Sequence, residues 1–350
     1  MAACDEQKKR VVDILKVLVI GGTGLISTAI VNQLAARGDE VTVFNRNKTA
    51  PRIPDTVYRL IGDRHDPNAF EGQLQDKRFD AVIDMIAFVE EDIESDWRAL
   101  GARSGHFIFC STVCVYGGLL SRLPADEEEP RLPISNYGRN KVKCEDAVWR
   151  LFGENRVSAT IMRPSTTYGE GGNVVHSLGW RTTFLDRLRR GLPVVVHGDG
   201  QALRVACHVE DVAAAFVNSL GNNRANGQSY NLTGEEPQTW NQHAEGAAAA
   251  FGKSAQIVHI PTDLLMRLAP DRAGISYEIF QYPSIYNNDK AKRDLDFRYT
   301  IPFRDGVQRT IRWLENNGRI ESTESDPLDD RLISSWKSAC DEMAKQVRAD

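Results

Sequence analysis

The sequence lacks the cysteine spacing that organises zinc or disulfide proteins. Its six cysteines, Cys4, Cys110, Cys114, Cys144, Cys207 and Cys340, form no CxxC pair, and no histidine stands at metal-ligand spacing. Only Cys110 and Cys114 are neighbours, flanking a β-like run where thiols behave as small buried hydrophobes. The expectation is reduced core thiols and no metal. Long apolar runs are also missing: nothing approaches the ~20 residues of a membrane span. Asp13 and Lys16 interrupt the apolar stretch near the N-terminus, and Asp5 and Glu6 make a poor organelle presequence, so a cytoplasmic protein is expected. Nor is there a surplus of positive charge. With 43 Lys+Arg against 48 Asp+Glu, the net charge of −5 provides no attraction to nucleic acid or anionic lipid. Internal repeats and low-complexity tracts are absent too.

What is present is the mixture of an ordinary globular chain, 41% hydrophobic and 26% charged over 350 residues, long enough for one large or two smaller domains. The first half alternates short apolar runs with helical patterns. Strands are expected at Lys16–Ile20, Val41–Phe44, Val57–Ile61, Ala81–Ile83, Phe107–Phe109 and Ser158–Met162, with helices at Leu25–Arg37 and Tyr137–Leu151. That spacing predicts an α/β fold: a doubly wound parallel sheet covered on both faces. After Arg163-Pro164 the rhythm changes. Segments 176–190, 210–220, 239–251 and 303–317 read as helices, and Val194–Val196, Arg204–Cys207 and Tyr230–Leu232 as short strands. The division expected is a nucleotide-binding domain over 16–165, a mainly substrate-binding, smaller C-terminal α+β lobe over 166–317 whose chain is free to re-enter the first domain, and an extension over 318–350. The extension carries an amphipathic helix with Ile333 and Trp336.

Gly21-Gly22-Thr23-Gly24-Leu25-Ile26-Ser27 follows the first strand directly and opens a helix. Gly21 permits the tight turn, and Gly24 lets the backbone approach a pyrophosphate at the positive helix end. Ser27 stands where the third glycine of such turns packs helix on strand. Dinucleotide sites place an acid at the end of the second strand, but this chain has Asn45-Arg46. Asn45 can bond a ribose hydroxyl and Arg46 a 2′-phosphate, which tilts the cofactor from NAD toward NADP. Asp63, after the third strand, falls near an adenine amino group.

Tyr137 and Lys141 stand at i and i+4, hence on one helix face. A phenol is a poor base at neutral pH unless a neighbouring cation favours its phenolate, and Lys141 can supply that charge while holding a ribose hydroxyl. Upstream, at the tip of the fifth strand, the chain reads Phe109-Cys110-Ser111-Thr112-Val113-Cys114-Val115-Tyr116-Gly117. A hydroxyl there can bond a reacting carbonyl or alcohol.

Glycine turn, strand-end hydroxyl and Tyr-x-x-x-Lys, in that order, resemble the extended short-chain dehydrogenase/reductases, the NAD(P)-dependent sugar epimerase/dehydratase family. RVACHVEDVAAAF (Arg204–Phe216) and NNDKAKRDLDFRYTIPFRDGVQRTIRWL resemble two later family segments, extending the likeness over about 16–317. The resemblance implies a Rossmann-type fold and a catalytic triad of Thr112, Tyr137 and Lys141. It also implies cofactor contacts from Gly21, Thr23, Gly24, Leu25, Ile26, Asp63 and Lys141, and substrate contacts from Arg204 and Ser111. A homodimer through the helices around Tyr137 is a further implication.

Family dehydratases and decarboxylases carry an acid just after the catalytic Thr; here Val113 and Cys114 follow. The expected reaction is therefore epimerisation of a sugar or sugar nucleotide, with an NADPH-dependent ketoreductase or dehydrogenase as alternative. A non-catalytic scaffold or RNA-binding relative ranks lower, because Tyr137 and Lys141 are both present. Asp84 is read as a structural carboxylate, Arg187, Arg189 and Arg190 as a solvated face, and His208 as a structural hydrogen-bonding group. Tyr168, His176, Trp180 and Arg181 fall where the family places its substrate lid.

Overall fold

The computed structural model describes residues 14–48, 50 and 52–348. Cys4 and the apolar segment before Ile14 lie outside the described residues. The first part of the chain runs β1 (Lys16–Ile20), α1 (Leu25–Arg37), β2 (Glu40–Asn45), β3 (Tyr58–Ile61), α2 (Pro67–Leu74), β4 (Phe79–Asp84), α3 (Glu90–Ala99), β5 (Ser104–Cys110), α4 (Asn136–Val148) and β6 (Ser158–Pro164). The second comprises β7 (Thr166–Tyr168), α5 (Thr183–Arg190), β8 (Val194–His197), β9 (Leu203–Arg204), β10 (Ala206–His208), α6 (Val209–Ser219), β11 (Gln228–Leu232), β12 (Gln238–Thr239), α7 (Trp240–Ala249) and β13 (Ile257–Ile260). It ends with α8 (Thr262–Leu268), α9 (Pro270–Ile275), α10 (Asp289–Leu295), α11 (Phe303–Asn316) and α12 (Leu328–Val347).

Seven parallel strands form the central sheet in the order β11-β6-β5-β4-β1-β2-β3. The uninterrupted apolar runs predict this, because both faces are covered. Val17, Val19 and Ile83 pack with Ile30, Val31 and Leu34 of α1 and with Val212 and Phe216 of α6. On the opposite face Leu18, Ile20 and Phe107 pack with Phe70, Ile93 and Val148 from α2, α3 and α4. Strand order reverses between β1 and β4, which opens a crevice at their C-terminal ends, the usual ligand position in such sheets.

The sheet also shows that the two parts are interleaved, since β11 returns from the second part to pair with β6. The helix expected over 176–190 is confined to Thr183–Arg190. Gly179, at φ +101°, and the reciprocal His176–Gly179 backbone bonds make a tight turn that interrupts any earlier helix. Helix α4 gives way at Trp149 to one wide π-type turn ending at Gly153. The extension docks through α12, whose Leu332 and Ile333 pack on Val195, Ile260 and Leu265. Among the described residues, no helix is long and apolar enough to cross a membrane.

A buried charge cluster supports the end of β4. Arg64 pairs with Asp84 at 2.5 Å, Asp96 at 3.1 Å and Asp92 at 3.3 Å. Asp84 also accepts the amides of Ile86 and Ala87 at 2.6 and 2.8 Å, fixing the turn beside the crevice. Burial opposes the Asp84 charge, but the Arg64 guanidinium overcomes it and holds that carboxyl below the ordinary range. Burial, reinforced by Asp84, pushes the Asp96 carboxyl well above its ordinary value despite Arg64, so Asp96 is more readily protonated than Asp84. Arg64→Leu should therefore cost about 3–5 kcal/mol in denaturant unfolding, because it strands buried carboxylates. Asp96→Asn, which removes a carboxyl whose charged form burial disfavours, should cost far less. Equal losses in both variants would contradict this assignment.

Candidate active site

The glycine turn lies at the reversal of strand order. Gly21 and Gly22 adopt φ of +109° and +65°, and a Cβ on Gly22 would sit 2.6 Å from Val43, so only glycine fits there. Gly24 caps α1. Ser27, in the place of a third glycine, accepts the Gly24 amide on its hydroxyl at 2.8 Å. That leaves the first-turn amides of Leu25 and Ile26 as the helix-end donors for an anion. A cavity of about 200 Å³ extends from Gly21, Thr23 and Gly24 to Asn45, Arg46, Lys48 and Asp63. Arg46 and Asp63 are 3.9 Å apart and half exposed, a contact weak enough for a ligand to replace. The turn that admits no Cβ, the helix-end donors and the cavity between them fit a dinucleotide.

A second cavity, about 270 Å³, continues from Gly24, Leu25 and Ile26 past Ile86 and Phe88 to Ser111, Thr112, Tyr137 and Lys141. Ser135 starts α4 by accepting the Gly138 amide on its hydroxyl at 3.0 Å, which places Tyr137 in the first turn and Lys141 one turn on. Lys141 is buried and donates to the carbonyl oxygens of Ala87 and Cys110, each at 2.8 Å. Burial lowers its pKa. Its ammonium lies 5.9 Å from the Tyr137 ring centroid and closer to the Phe109 and Phe88 rings, so it acts on the phenol from a distance. Tyr137 is 42% exposed, yet desolvation still raises its phenol pKa, with the Thr112 hydroxyl opposing. Thr112 itself accepts the Cys114 amide at 3.2 Å, which aligns its hydroxyl at the strand tip.

Ser111 also borders this cavity, but its hydroxyl is committed to Glu145 at 2.6 Å. Glu145 is fully buried and forms a two-pronged pair with Arg163 at 2.8 and 2.7 Å. Arg163 donates to the Tyr116 hydroxyl at 2.8 Å, and that hydroxyl donates to Asn231 at 2.7 Å. This network joins β5, α4, β6 and β11 beneath the site. Only the Arg163-Pro164 dipeptide marks it in sequence.

A larger cavity, about 600 Å³, opens beyond Tyr137 and Thr112 and carries Trp180, Trp240, Phe280, Tyr282 and Tyr286 on its walls. Arg204 lines it from the short β9/β12 ribbon. This buried guanidinium has no carboxylate partner among the described residues, lies 4.5 Å from the Trp240 ring centroid, and leaves Nη2 without a hydrogen bond to them. Burial lowers its pKa to about 9, so it remains cationic at neutral pH.

Other expected residues fall elsewhere. Arg187 is not solvated: it is buried, donating to Pro193 O at 2.6 Å and to Asp330 of α12 at 2.7 Å. Arg189 and Arg190 pair with Asp186 and Glu324 at 2.6 and 2.7 Å. Arg187 thus faces the docked extension, whereas Arg189 and Arg190 remain about half exposed, so the solvated reading holds for those two alone. Of the expected lid residues, Trp180 reaches the cavity, whereas Tyr168 and His176 are buried and Arg181 binds Glu321 at 3.3 Å. His208 caps α6 and contacts Glu170 at 3.1 Å. Glu170 and Glu210 lie beside it, but Arg309 pairs with both carboxylates.

The sequence model of the NAD dependent epimerase/dehydratase family matches residues 17–233. Among curated relatives, the 2'-dehydrokanamycin reductase of Streptomyces kanamyceticus is 27% identical over 72% of this chain and 71% of its own. The chloroplast stem-loop binding protein of 41 kDa b of Arabidopsis thaliana is 32% identical over 70% of this chain and 65% of its own. In structure, the UDP-glucose 4-epimerase of Thermotoga maritima, solved with UDP-glucose, superposes with a TM-score of 0.71 at 21% identity. That match covers 86% of this chain and 99% of the epimerase. The family match spans the glycine turn, the Thr112 strand tip and the Tyr137–Lys141 helix, and by it the chain belongs to the NAD dependent epimerase/dehydratase family.

Proposed function

We propose that the chain epimerises a sugar or sugar nucleotide through transient oxidation of a ring carbinol. The observation that carries this reading is shared lining: Thr112 and Tyr137 border both the smaller cavity over the glycine turn and the large aromatic cavity. A ring seated in the large cavity therefore meets Tyr137 at the boundary with the nucleotide cleft. Bound in that cleft, the nicotinamide cofactor would supply the hydride acceptor and donor.

The protein's part is proton handling and placement. Tyr137 removes the carbinol proton as the ketone forms and returns it when the alcohol is restored. Thr112 holds the same oxygen by its hydroxyl. Lys141, with two N–H bonds spent on Ala87 and Cys110, retains one for a ribose hydroxyl and favours phenolate by its charge. About 600 Å³ of cavity leaves room for a sugar ring to turn. Val113 and Cys114 leave no carboxylate next to Thr112 for elimination, which supports epimerase over dehydratase.

A reductase is the second reading. Arg46 and Lys48 border the adenosine end of the cleft and suit a 2′-phosphate, the mark of the cofactor used in reductions. A phenol whose pKa burial raises also suits proton donation to a ketone.

Tyr137→Phe should lower kcat by ~100- to 10,000-fold while leaving cofactor affinity unchanged, as measured by steady-state kinetics and fluorescence titration. Loss of cofactor binding with kcat preserved would contradict the assignment. Arg46→Ala should weaken NADPH more than NADH by about tenfold in the same titration, the scale of a lost charge-assisted bond. Equal weakening of both cofactors would remove the argument for NADP.

A further inference from the structure

The large cavity contains an arginine held by a group that does not neutralise it. His243 sits in α7, buried, with Nε2 2.7 Å from the Val175 carbonyl oxygen. A carbonyl can only accept, so Nε2 carries the proton and Nδ1 is a bare acceptor. Arg204 Nη1 donates to that Nδ1 at 2.5 Å. Burial and the Arg204 charge push the His243 pKa well below its ordinary value, which keeps the ring neutral. The guanidinium face rests on Trp240, whose own N–H is bound to the Phe280 carbonyl at 3.0 Å. Orientation is thus fixed twice, and charge is not offset once.

A buried cation usually has an acid beside it, because desolvation without a counter-charge is costly. Here the other charged residue on the cavity wall is Glu278, which is exposed. One uncompensated cation matches one anionic group on a ligand; a second anionic group has no cation to meet among the described lining residues. The aromatic walls suit a ring-bearing body.

We propose that His243 is a positioning residue for substrate binding, holding Arg204 oriented and fully charged so that the cavity takes a ring-bearing substrate through a single anionic group. The proposal rests on the large cavity being the substrate site, and narrows the sugars considered above to those bearing one carboxylate or phosphate.

The test is calorimetric titration of the NADPH-loaded full chain, read without turnover. Wild-type protein should bind glucose 1-phosphate about tenfold or more tighter than glucose, the scale of a charge-assisted hydrogen bond. Glucuronate, tested beside them, separates a carboxylate preference from a phosphate one. Arg204→Met and His243→Asp should erase the preference for the anion, the second by pairing a carboxylate with Arg204. His243→Asn, which keeps an acceptor and adds no charge, should retain most of it. UDP should bind no tighter than UMP. Retained NADPH binding and circular dichroism show that each variant is folded. His243→Asp with the wild-type preference, or UDP tenfold tighter than UMP, overturns the proposal. A catalytically silent Tyr137→Phe result bears on the reaction alone, so the two readings fail separately.

Discussion

The site depends on the ammonium of Lys141. Placed under α4 and bonded to carbonyl oxygens just beyond β4 and at the end of β5, it ties the helix that bears Tyr137 to the sheet edge where the crevice opens. Two neutral acceptors and the Phe109 ring offset part of its desolvation without cancelling its charge. Removing the ammonium would take this donor from the Ala87 and Cys110 carbonyls and release α4 at the point where Tyr137 and Thr112 must stay in register. Architecture and chemistry therefore meet in one side chain.

Two ionic clusters support this point from below, one on each side. Arg64 with Asp84 shapes the turn that carries Ile86, Ala87 and Phe88 along the nucleotide cleft. Arg163 with Glu145 fastens the underside of α4 to β6, and through Tyr116 and Asn231 to the returning strand β11. Buried pairs of this kind are poor sources of net stability, but breaking one partner is costly. Their position beside the crevice makes them positional devices: a loosened turn or strand moves a cavity wall.

Much of this was legible in the sequence because it is written in local rules. A glycine turn after an apolar strand requires backbone freedom, and Tyr137 with Lys141 one turn later requires only helical periodicity. Asp84 was rightly read as structural, since a carboxylate inside an apolar strand run needs a buried partner. That partner, Arg64, lies in a loop and carries no local signal. His243 was invisible for the same reason: a single histidine in an alanine-rich helix has no pattern until folding brings Arg204 against it. Arg187 was misread as solvated because helical periodicity cannot anticipate a later helix, α12, docking over it. The turn at Gly179 was likewise overruled by apolar spacing.

The account's central claim is that Tyr137 and Thr112 mediate reversible oxidation of a sugar carbinol at the boundary between two cavities. Its most direct test is the redox state of the cofactor while the full chain acts on a panel of sugars, sugar phosphates and nucleotide sugars. The account predicts that an active member is converted to its epimer with no net change in nicotinamide absorbance. Steady consumption of reduced or oxidised cofactor with every active member, and no epimer formed, would contradict it.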